Sequence, residues 1–280
     1  MFDLLQLESI QNAIIALFIL GIIFPLVGVH LVVRRLSMMS ESLAHITLPG
    51  VALGLILQRL WWWELSPVYI CMLVSTVAAL LLERLRRLYR GYEELAVPIL
   101  LSGGVALGVV MISGVRGLNI DIFKYLFGSI MGVSQNDLWL LFIIGILVIG
   151  FLFVFYKELF SISFDEEHAF LSGIPCRMLN IAFMIVVALI ISATINVVGI
   201  LLVSAILTIP VATSMRFAHS FSKTLIWSVI FSELGVLGGF LVACHFNSAP
   251  SGTIVLCMIF IFLIVVFGQK LLAGQGIRKK

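Results

Sequence analysis

The sequence predicts an all-α polytopic membrane protein, and two properties of the chain support this prediction. Hydrophobic residues make up 62% of its 280 residues and charged residues only 11%, whereas a soluble domain carries about 25% charged residues. Apolar runs also recur along the whole chain, and each can supply the roughly 20 residues with which a helix crosses a bilayer. We therefore expect a bundle of eight or nine membrane-spanning helices that forms a single transmembrane domain over residues 1–280.

The apolar runs give the order of the predicted helices. Nine runs can be distinguished, at 12–33, 43–60, 65–82, 95–114, 137–156, 179–196, 198–215, 224–244 and 252–268. Only the sequence NVVG at 196–199 marks the boundary between the sixth and seventh runs, so eight helices is the alternative count. Three glycine pairs have the G-x-x-x-G spacing that allows close helix packing. They are Gly50 with Gly54, Gly104 with Gly108, and Gly235 with Gly239.

The basic residues predict the orientation of the chain, because short cytoplasmic loops are enriched in Lys and Arg. Basic clusters follow the first, third and seventh apolar runs, and another closes the chain at 278–280. Lys157 and Arg177 flank the segment between the fifth and sixth runs. With nine spans, an external N-terminus and a cytoplasmic C-terminus, all of these clusters lie inside. In the loop between the fourth and fifth runs, basic residues are balanced by acidic ones.

The composition also excludes several classes of partner and site. No basic patch is interleaved with aromatic residues, so the sequence does not indicate a nucleic-acid partner. Its four cysteines form no C-x-x-C pair, so they indicate neither a disulfide framework nor a zinc site made of thiolates.

Glu41 and His45 are ionisable residues at the start of the second apolar run. Their spacing of four places them on one face of a helix, and each charge costs roughly 2.5–3.5 kcal/mol at the centre of a membrane helix. A carboxylate oxygen with an imidazole nitrogen suits Zn²⁺, Mn²⁺ or Fe²⁺. The alternative is that Glu41 is interfacial and His45 is satisfied within the bundle. The spacing alone does not separate the two interpretations.

The sequence around this pair resembles a known family. RRLSMMSESLAHITLPGVALG is similar to the segment after the first helix in the metal-uptake family of ABC permeases, which reads R-R-x-S-x-x-G-D-x-[LS]-x-H-x-x-L-P-G. The departures are Ser40 for Gly and Glu41 for Asp, so the carboxylate stays but its arm is one methylene longer. Ala44 before the histidine is closer to the zinc-uptake permeases. The matching positions are Arg34, Arg35, His45, Leu48, Pro49 and Gly50.

Two further stretches extend the resemblance over nearly the whole chain. YLFGSIMGVSQNDLW is similar to an external short-helix segment of the family. INVVGILLVSAILTIPVATSMRFAHS is similar to the run V-G-x-L-L-[VI]-x-[AS]-L-L-x-[IV]-P-A-A-T-A-x-x-[FLI]. The resemblance implies a bundle like that of a type II ABC importer permease, in the cell membrane of a prokaryote. Its matching residues are Val198, Gly199, Leu202, Pro210 and Thr213.

The segment FDEEHAFLSGIPCRMLN between the fifth and sixth runs predicts a short cytoplasmic helix within about 165–177. Acidic residues suit the positive start of such a helix, and Gly173 suits its end. In the family, D-x-x-x-A-x-x-x-G-[IVL]-[PN] marks a coupling helix that docks on the ATP-binding subunit. Asp165, Ala169, Gly173 and Pro175 fit this pattern. The alternative is an ordinary surface helix.

The chain lacks the G-x-x-x-x-G-K-[ST] sequence that cradles phosphates, so we expect a permease subunit that is not itself an enzyme. The resemblance implies a separate cytoplasmic ATP-binding subunit, an extracytoplasmic metal-binding protein and a second permease copy as a homodimer. It implies no permanently bound cofactor and a divalent metal as transported substrate, with Zn²⁺ expected and manganese or iron as alternatives.

A different class of function remains open on the residues alone. Glu41, His45 and Glu233, which lies inside the eighth apolar run, could exchange protons in an ion-coupled secondary transporter. Glu233 could instead hold helix packing through hydrogen bonds, and we favour that role. An intramembrane enzyme is not indicated, because the sequence contains neither H-E-x-x-H nor G-x-S-x-G.

Overall fold

The computed structural model describes residues 8–61, 66–89, 91–114 and 127–276. The terminal basic cluster and the first two residues of YLFGSIMGVSQNDLW lie outside these ranges. Within them the chain forms α-helices, joined by turns that include short 3₁₀ segments at Glu93–Leu95 and Ile130–Gly132. The helices are α1 (Glu8–Val33), α2 (Ser37–Trp61), α3 (Pro67–Leu88), α4 (Ala96–Gly114), α5 (Gln135–Val154), α6 (Tyr156–Phe164), α7 (Glu166–Leu171), α8 (Cys176–Ser214), α9 (Phe221–Phe246) and α10 (Pro250–Gly276).

Eight of the helices in the described ranges are long and apolar enough to cross a membrane, and α6 and α7 are the two that are not. This confirms the predicted all-α polytopic membrane protein. One helix boundary differs from the prediction, and the difference changes where Glu41 lies. The second apolar run was expected to begin at residue 43, but α2 begins at Ser37, so Glu41 lies within the helix rather than before it.

The longest helix, α8, explains why the sequence allows two counts. Its 39 residues would extend about 58 Å if straight, nearly twice the roughly 30 Å hydrocarbon thickness of a bilayer. It contains two helical segments joined at Gly199, whose backbone has φ 78° and ψ 163°. The segments, 176–198 and 200–214, correspond to the sixth and seventh apolar runs.

The two segments of α8 run in opposite directions. In the first, the ring of Phe183 lies 6.0 Å from that of His30 in α1. In the second, Val211 packs against Val29, the residue next to His30. A straight helix would separate residues 183 and 211 by about 42 Å, so the chain folds back at Gly199.

Hydrogen bonds between distant segments place the loops that carry basic residues at one end of the bundle. We call this end the basic end. Arg34, just after α1, bonds to Asn180 in the first turns of α8. The backbone carbonyl of Arg216, after α8, accepts a hydrogen bond from the side-chain amide of Gln269 in α10. At the opposite end, the N–H of Ser129 bonds to the carbonyl oxygens of Asn196 and Val197, beside the bend. The clustering agrees with the orientation expected from the positive-inside rule.

The predicted G-x-x-x-G pairs do lie at close helix contacts. A Cβ on Gly50 would come 2.9 Å from Cys71 Cα in α3, and one on Gly239 would come 2.6 Å from Ile254 Cα in α10. Gly28 was not found from spacing, although a Cβ there would overlap the backbone carbonyl of Leu207 in the second segment of α8. Small residues therefore bring α1 and α8 together as well.

Candidate functional site

The second and third turns of α2 carry the predicted pair Glu41 and His45. α1 ends in a Schellman motif, with Arg35 in the left-handed region at φ 56° and the N–H of Leu36 bonded to the carbonyl of Leu31 at 2.7 Å. α2 begins directly after this motif, so the end of α1 determines where α2 starts. Glu41 is exposed and His45 is partly buried. Neither side chain bonds to another residue in the described ranges, so both are free to meet a ligand.

Glu41 opens into a cavity of about 480 Å³ between α2, the second segment of α8 and α10. Hydroxyl-bearing residues contribute to the wall on both sides, Ser37 and Ser40 from α2 and Ser204 and Thr208 from α8. His45 shares the helix face of Glu41 but does not line this cavity. The cavity thus places hydroxyl groups near the carboxylate within a wall that is otherwise largely apolar. The imidazole lies one turn further along α2.

Ser204 and Thr208 were not singled out from the sequence. They lie four apart within the run LLVSAILTIP, so their spacing was a usable signal for one polar helix face. What the sequence did not reveal is that the bend at Gly199 turns this face toward Glu41.

One copy of the chain supplies few metal ligands. Across the described ranges, no group of three or more His, Cys, Asp or Glu side chains is placed to hold a metal ion. Zinc sites usually have four ligands, of which at least three come from protein. If Glu41 and His45 bind zinc as predicted, they would supply two of these four ligands.

The predicted cytoplasmic helix is α7, and the four motif residues set its shape. The Asp165 carboxylate accepts a hydrogen bond from the N–H of His168 at 2.9 Å and caps the helix. Gly173 has φ +85°, and the N–H of Ile174 bonds to the carbonyl of Ala169 at 3.1 Å in a Schellman motif. Pro175 is the N-cap residue of α8.

The two sides of α7 differ in exposure. Ala169 is fully buried and packs with Ile162, Cys176 and Leu179, which fixes α7 against α6 and α8. Phe170 and Leu171 instead are 70% and 82% exposed. The motif residues therefore form the framework of the helix, while adjacent apolar side chains, which the sequence reasoning did not select, form its outer surface.

Glu233 lies apart from the Glu41 cavity. Its side chain packs on α1, where a Cβ on Gly21 would come 2.6 Å from Glu233 Oε1. Both carboxyl oxygens are buried and have no hydrogen-bond partner in the described ranges. The favoured packing role through hydrogen bonds is thus not seen in these ranges.

Comparison with known proteins agrees with this architecture. The family model described as the ABC 3 transport family matches residues 6–269. A protein of Treponema pallidum named as a probable metal transport system membrane protein is 33% identical over 94% of this chain and 96% of its own length. The manganese transport system membrane protein MntC of Halalkalibacterium halodurans is 29% identical over 95% and 89%. The high-affinity zinc uptake system membrane protein ZnuB of Haemophilus influenzae is 28% identical over 94% and 98%.

The fold also matches a solved structure, that of PsaBC from Streptococcus pneumoniae in complex with Fab. The two chains superpose with a TM-score of 0.81 at 28% sequence identity, over 94% of this chain and 93% of the other.

Proposed function

The chain belongs to the ABC 3 transport family, and from this premise we propose that it is the permease subunit of an ATP-driven importer of divalent metal ions, with Zn²⁺ as the expected substrate. The family to which the sequence motifs pointed is thereby confirmed, as is a multi-pass protein of a bacterial cell membrane. We further propose that residues 1–280 act as one permease domain.

The observation that carries the proposal is the unpaired Glu41 carboxylate at the cavity between α2 and the second segment of α8, whose wall includes hydroxyl groups. Glu41 and His45 offer an oxygen and a nitrogen ligand, the donor set that suits Zn²⁺, Mn²⁺ and Fe²⁺. The hydroxyl groups in the wall are weaker ligands. A site without thiolates and with few strong ligands binds metal loosely enough to release it, as a transport path requires.

We propose that two copies of the chain form the path, each contributing Glu41 and His45. An extracytoplasmic metal-binding protein would deliver the ion to the cavity between the copies. ATP-driven closure of two cytoplasmic ATP-binding subunits, transmitted through residues 165–177, would then open the inner side. No cofactor is needed in this scheme, because the metal is the substrate and the ATPase supplies the chemistry.

Zinc is the finer part of the proposal. Ala44 before His45 favours it, and one relative is named for zinc uptake. Another relative is named for manganese transport, so manganese or iron transport by the same mechanism is the alternative. The proton-coupled transporter is not favoured, because Glu233 packs on α1 and does not line the Glu41 cavity.

Cellular metal content, measured by mass spectrometry under metal limitation, tests both parts of the proposal. Cells lacking the gene are complemented with the wild-type chain, with Glu41→Ala/His45→Ala, or with Glu41→Asp as the matched control. We expect wild type and Glu41→Asp to restore zinc, because both keep the carboxylate. The double Ala variant should accumulate metal as poorly as the deletion while still co-purifying with its ATPase.

The outcomes separate the claims. Restoration of manganese or iron instead of zinc would keep the mechanism and change the substrate. Normal metal accumulation by the double Ala variant would remove Glu41 and His45 from the path. If no metal responds to the gene while the ATPase partner is present, the metal importer proposal is wrong.

A further inference from the structure

Three polar side chains at the basic end connect elements that are far apart in sequence. Arg34 Nη2 donates to Asn180 Oδ1 at 2.5 Å, and Asn180 Nδ2 donates to Glu166 Oε1 at 2.8 Å. Arg34 belongs to the connection between α1 and α2, Asn180 to the first turns of α8, and Glu166 is the first residue of α7. We call this chain of hydrogen bonds the Arg34 relay.

The donors and acceptors of the relay leave little freedom for its central residue. An Asn side chain has one acceptor oxygen and an NH₂ donor group. Here the guanidinium, which can only donate, selects the oxygen, and the carboxylate, which can only accept, selects the amide nitrogen. The orientation of Asn180 is therefore set by both neighbours at once, so a displacement of either neighbour is felt by the other.

Arg34 is held firmly at its end of the relay. Its guanidinium carbon lies 5.7 Å from the centre of the Phe183 ring, and its Nη1 is buried without a partner in the described ranges. Burial lowers the pKa of Arg34 below its usual range, and the Glu166 carboxylate acts in the opposite direction. A buried guanidinium that loses a partner is costly, so Arg34 is expected to follow Asn180.

Two nearby arginines, Arg86 and Arg87, are paired with carboxylates other than Glu166. Arg86 pairs with Glu83 and Glu93 at 3.3 and 2.8 Å, and Arg87 pairs with Glu83 at 2.9 Å. These ion pairs lie across a cavity of about 530 Å³ that Glu166 and Asn180 also line. The Glu166 carboxylate, at the acidic end of the relay, is therefore available to bond with Asn180.

The other end of the relay leads directly to α2. Arg34 is the C-cap residue of α1, and the N–H groups of Arg35 and Leu36 bond back to Val32 and Leu31. The N–H of Met39 then bonds to the carbonyl of Leu36 at 2.9 Å, at the start of α2. This short, hydrogen-bonded connection can pass a movement of Arg34 to the turn of α2 that carries Glu41.

We propose that the Arg34 relay transmits movement of α7 to the first turns of α2, with Asn180 as a positioning residue for the metal path. The inference rests on the proposed function, in which α7 docks on the ATPase and Glu41 meets the metal. It adds the connection between these two sites.

The test uses the complete complex of permease and ATPase in proteoliposomes, with Zn²⁺ and Mn²⁺ as probes. The readout is the coupling ratio, the number of metal ions transported for each ATP hydrolysed. In Asn180→Asp, the new carboxylate still accepts from Arg34 but cannot donate to Glu166 and repels it. We expect the coupling ratio to fall by about tenfold while ATP hydrolysis continues.

A second substitution should reverse this loss. In Asn180→Asp/Glu166→Gln, the new amide at position 166 donates to the new carboxylate at position 180, so the relay is restored with its second hydrogen bond reversed. Glu166→Gln alone keeps the relay, because its side-chain oxygen still accepts from Asn180. Arg84→Ala, which removes an exposed arginine of α3 at the same end of the bundle, is the matched control and should keep the wild-type ratio. If Asn180→Asp does not assemble, Asn180→Ala breaks the relay without adding a charge, and the same ratio is measured.

The outcomes distinguish this inference from the proposed function. Loss of coupling in Asn180→Asp and its recovery in the double variant would support the relay. An unchanged ratio in the position 180 variants, with hydrolysis and transport falling together, would assign Asn180 a purely structural role and overturn the inference. If adding Glu166→Gln to Asn180→Asp does not restore the coupling ratio, the inference is likewise overturned. If the wild-type complex transports neither metal, it is the proposed function that fails.

Discussion

Gly199 is the residue at which one backbone conformation sets the course of two helices. With φ 78° and ψ 163°, it occupies a region that is essentially restricted to glycine. Gly128 approaches the same point with φ +74°, and a Cβ on it would overlap the backbone of Val198. The bend therefore requires glycine at two positions. Gly199 adopts a backbone conformation restricted to glycine, and Gly128 lies too close to the backbone of Val198 to carry a side chain.

The substitution Gly199→Ala should destabilise the bundle. A Cβ at this φ and ψ costs about 1–3 kcal/mol, so we expect a lower unfolding temperature for the detergent-purified protein. Gly103→Ala is the matched control, because Gly103 is an exposed helical glycine of α4 with open space around its Cα. Equal unfolding temperatures for the two variants would show that Gly199 is not under this constraint.

At the scale of single elements, the motif residues of α7 differ from the residues that form its exposed apolar surface. The helix is capped by Asp165 and held in place by the buried Ala169. Gly173 and Pro175 terminate it. Phe170 and Leu171 are the exposed apolar side chains of the helix, and they are available to a partner. An exposed aromatic residue beside an exposed leucine, on a helix held by buried contacts, is a suitable anchor for a pocket on another protein.

Phe170→Asp/Leu171→Asp should therefore impair binding of the ATP-binding subunit. Loss of a buried aromatic anchor costs ~2 kcal/mol or more at an interface, so we expect at least about tenfold less ATPase to co-purify with the permease. A substitution at Gly173 would test docking less directly, because any side chain at φ +85° strains the backbone of Gly173 itself.

The control for this prediction is His219→Asp. His219 is exposed in the turn between α8 and α9, so the substitution adds an acidic charge at the basic end without altering α7. Co-purification should remain at the wild-type level. A loss of equal size in both variants would indicate a general effect of charge rather than docking through Phe170 and Leu171.

At the scale of the whole molecule, one chain forms half of the proposed metal site. It supplies one carboxylate and one imidazole, and no larger ligand cluster is present in the ranges that the structure describes. Because zinc sites are usually four-coordinate, a pair of chains related by a two-fold axis would complete the set. We therefore expect the permease to be active only as a dimer with both pairs of ligands intact.

Mixed complexes test the shared site. Wild-type chains and Glu41→Ala/His45→Ala chains carry different affinity tags, and tandem purification isolates complexes that contain one of each. We expect zinc transport to fall by about tenfold or more relative to the wild-type dimer, because two of the four ligands are missing. Half of the wild-type transport would instead indicate that each copy has its own independent path.

Much of the fold could be predicted because membrane helices are specified locally. The length and hydropathy of each apolar run identified the helices, and the ambiguity between eight and nine was located at the bend itself. The motifs predicted the cap and end of α7 and placed Glu41 and His45 on one helix face. The roles of these residues in transport remain predictions that the experiments above address.

The sequence by itself determined the helices, their order and the family, because these depend on hydropathy and on motifs along the chain. It also placed Glu41 and His45, the proposed metal ligands, on one helix face. Only the tertiary structure decided which faces meet. The reversal at Gly199 brings Ser204 and Thr208 to the cavity of Glu41, and packing at the basic end joins Arg34 to Asn180 and Glu166. Such contacts depend on how helices distant in sequence pack, and that information is not contained in the spacing of residues along any one of them.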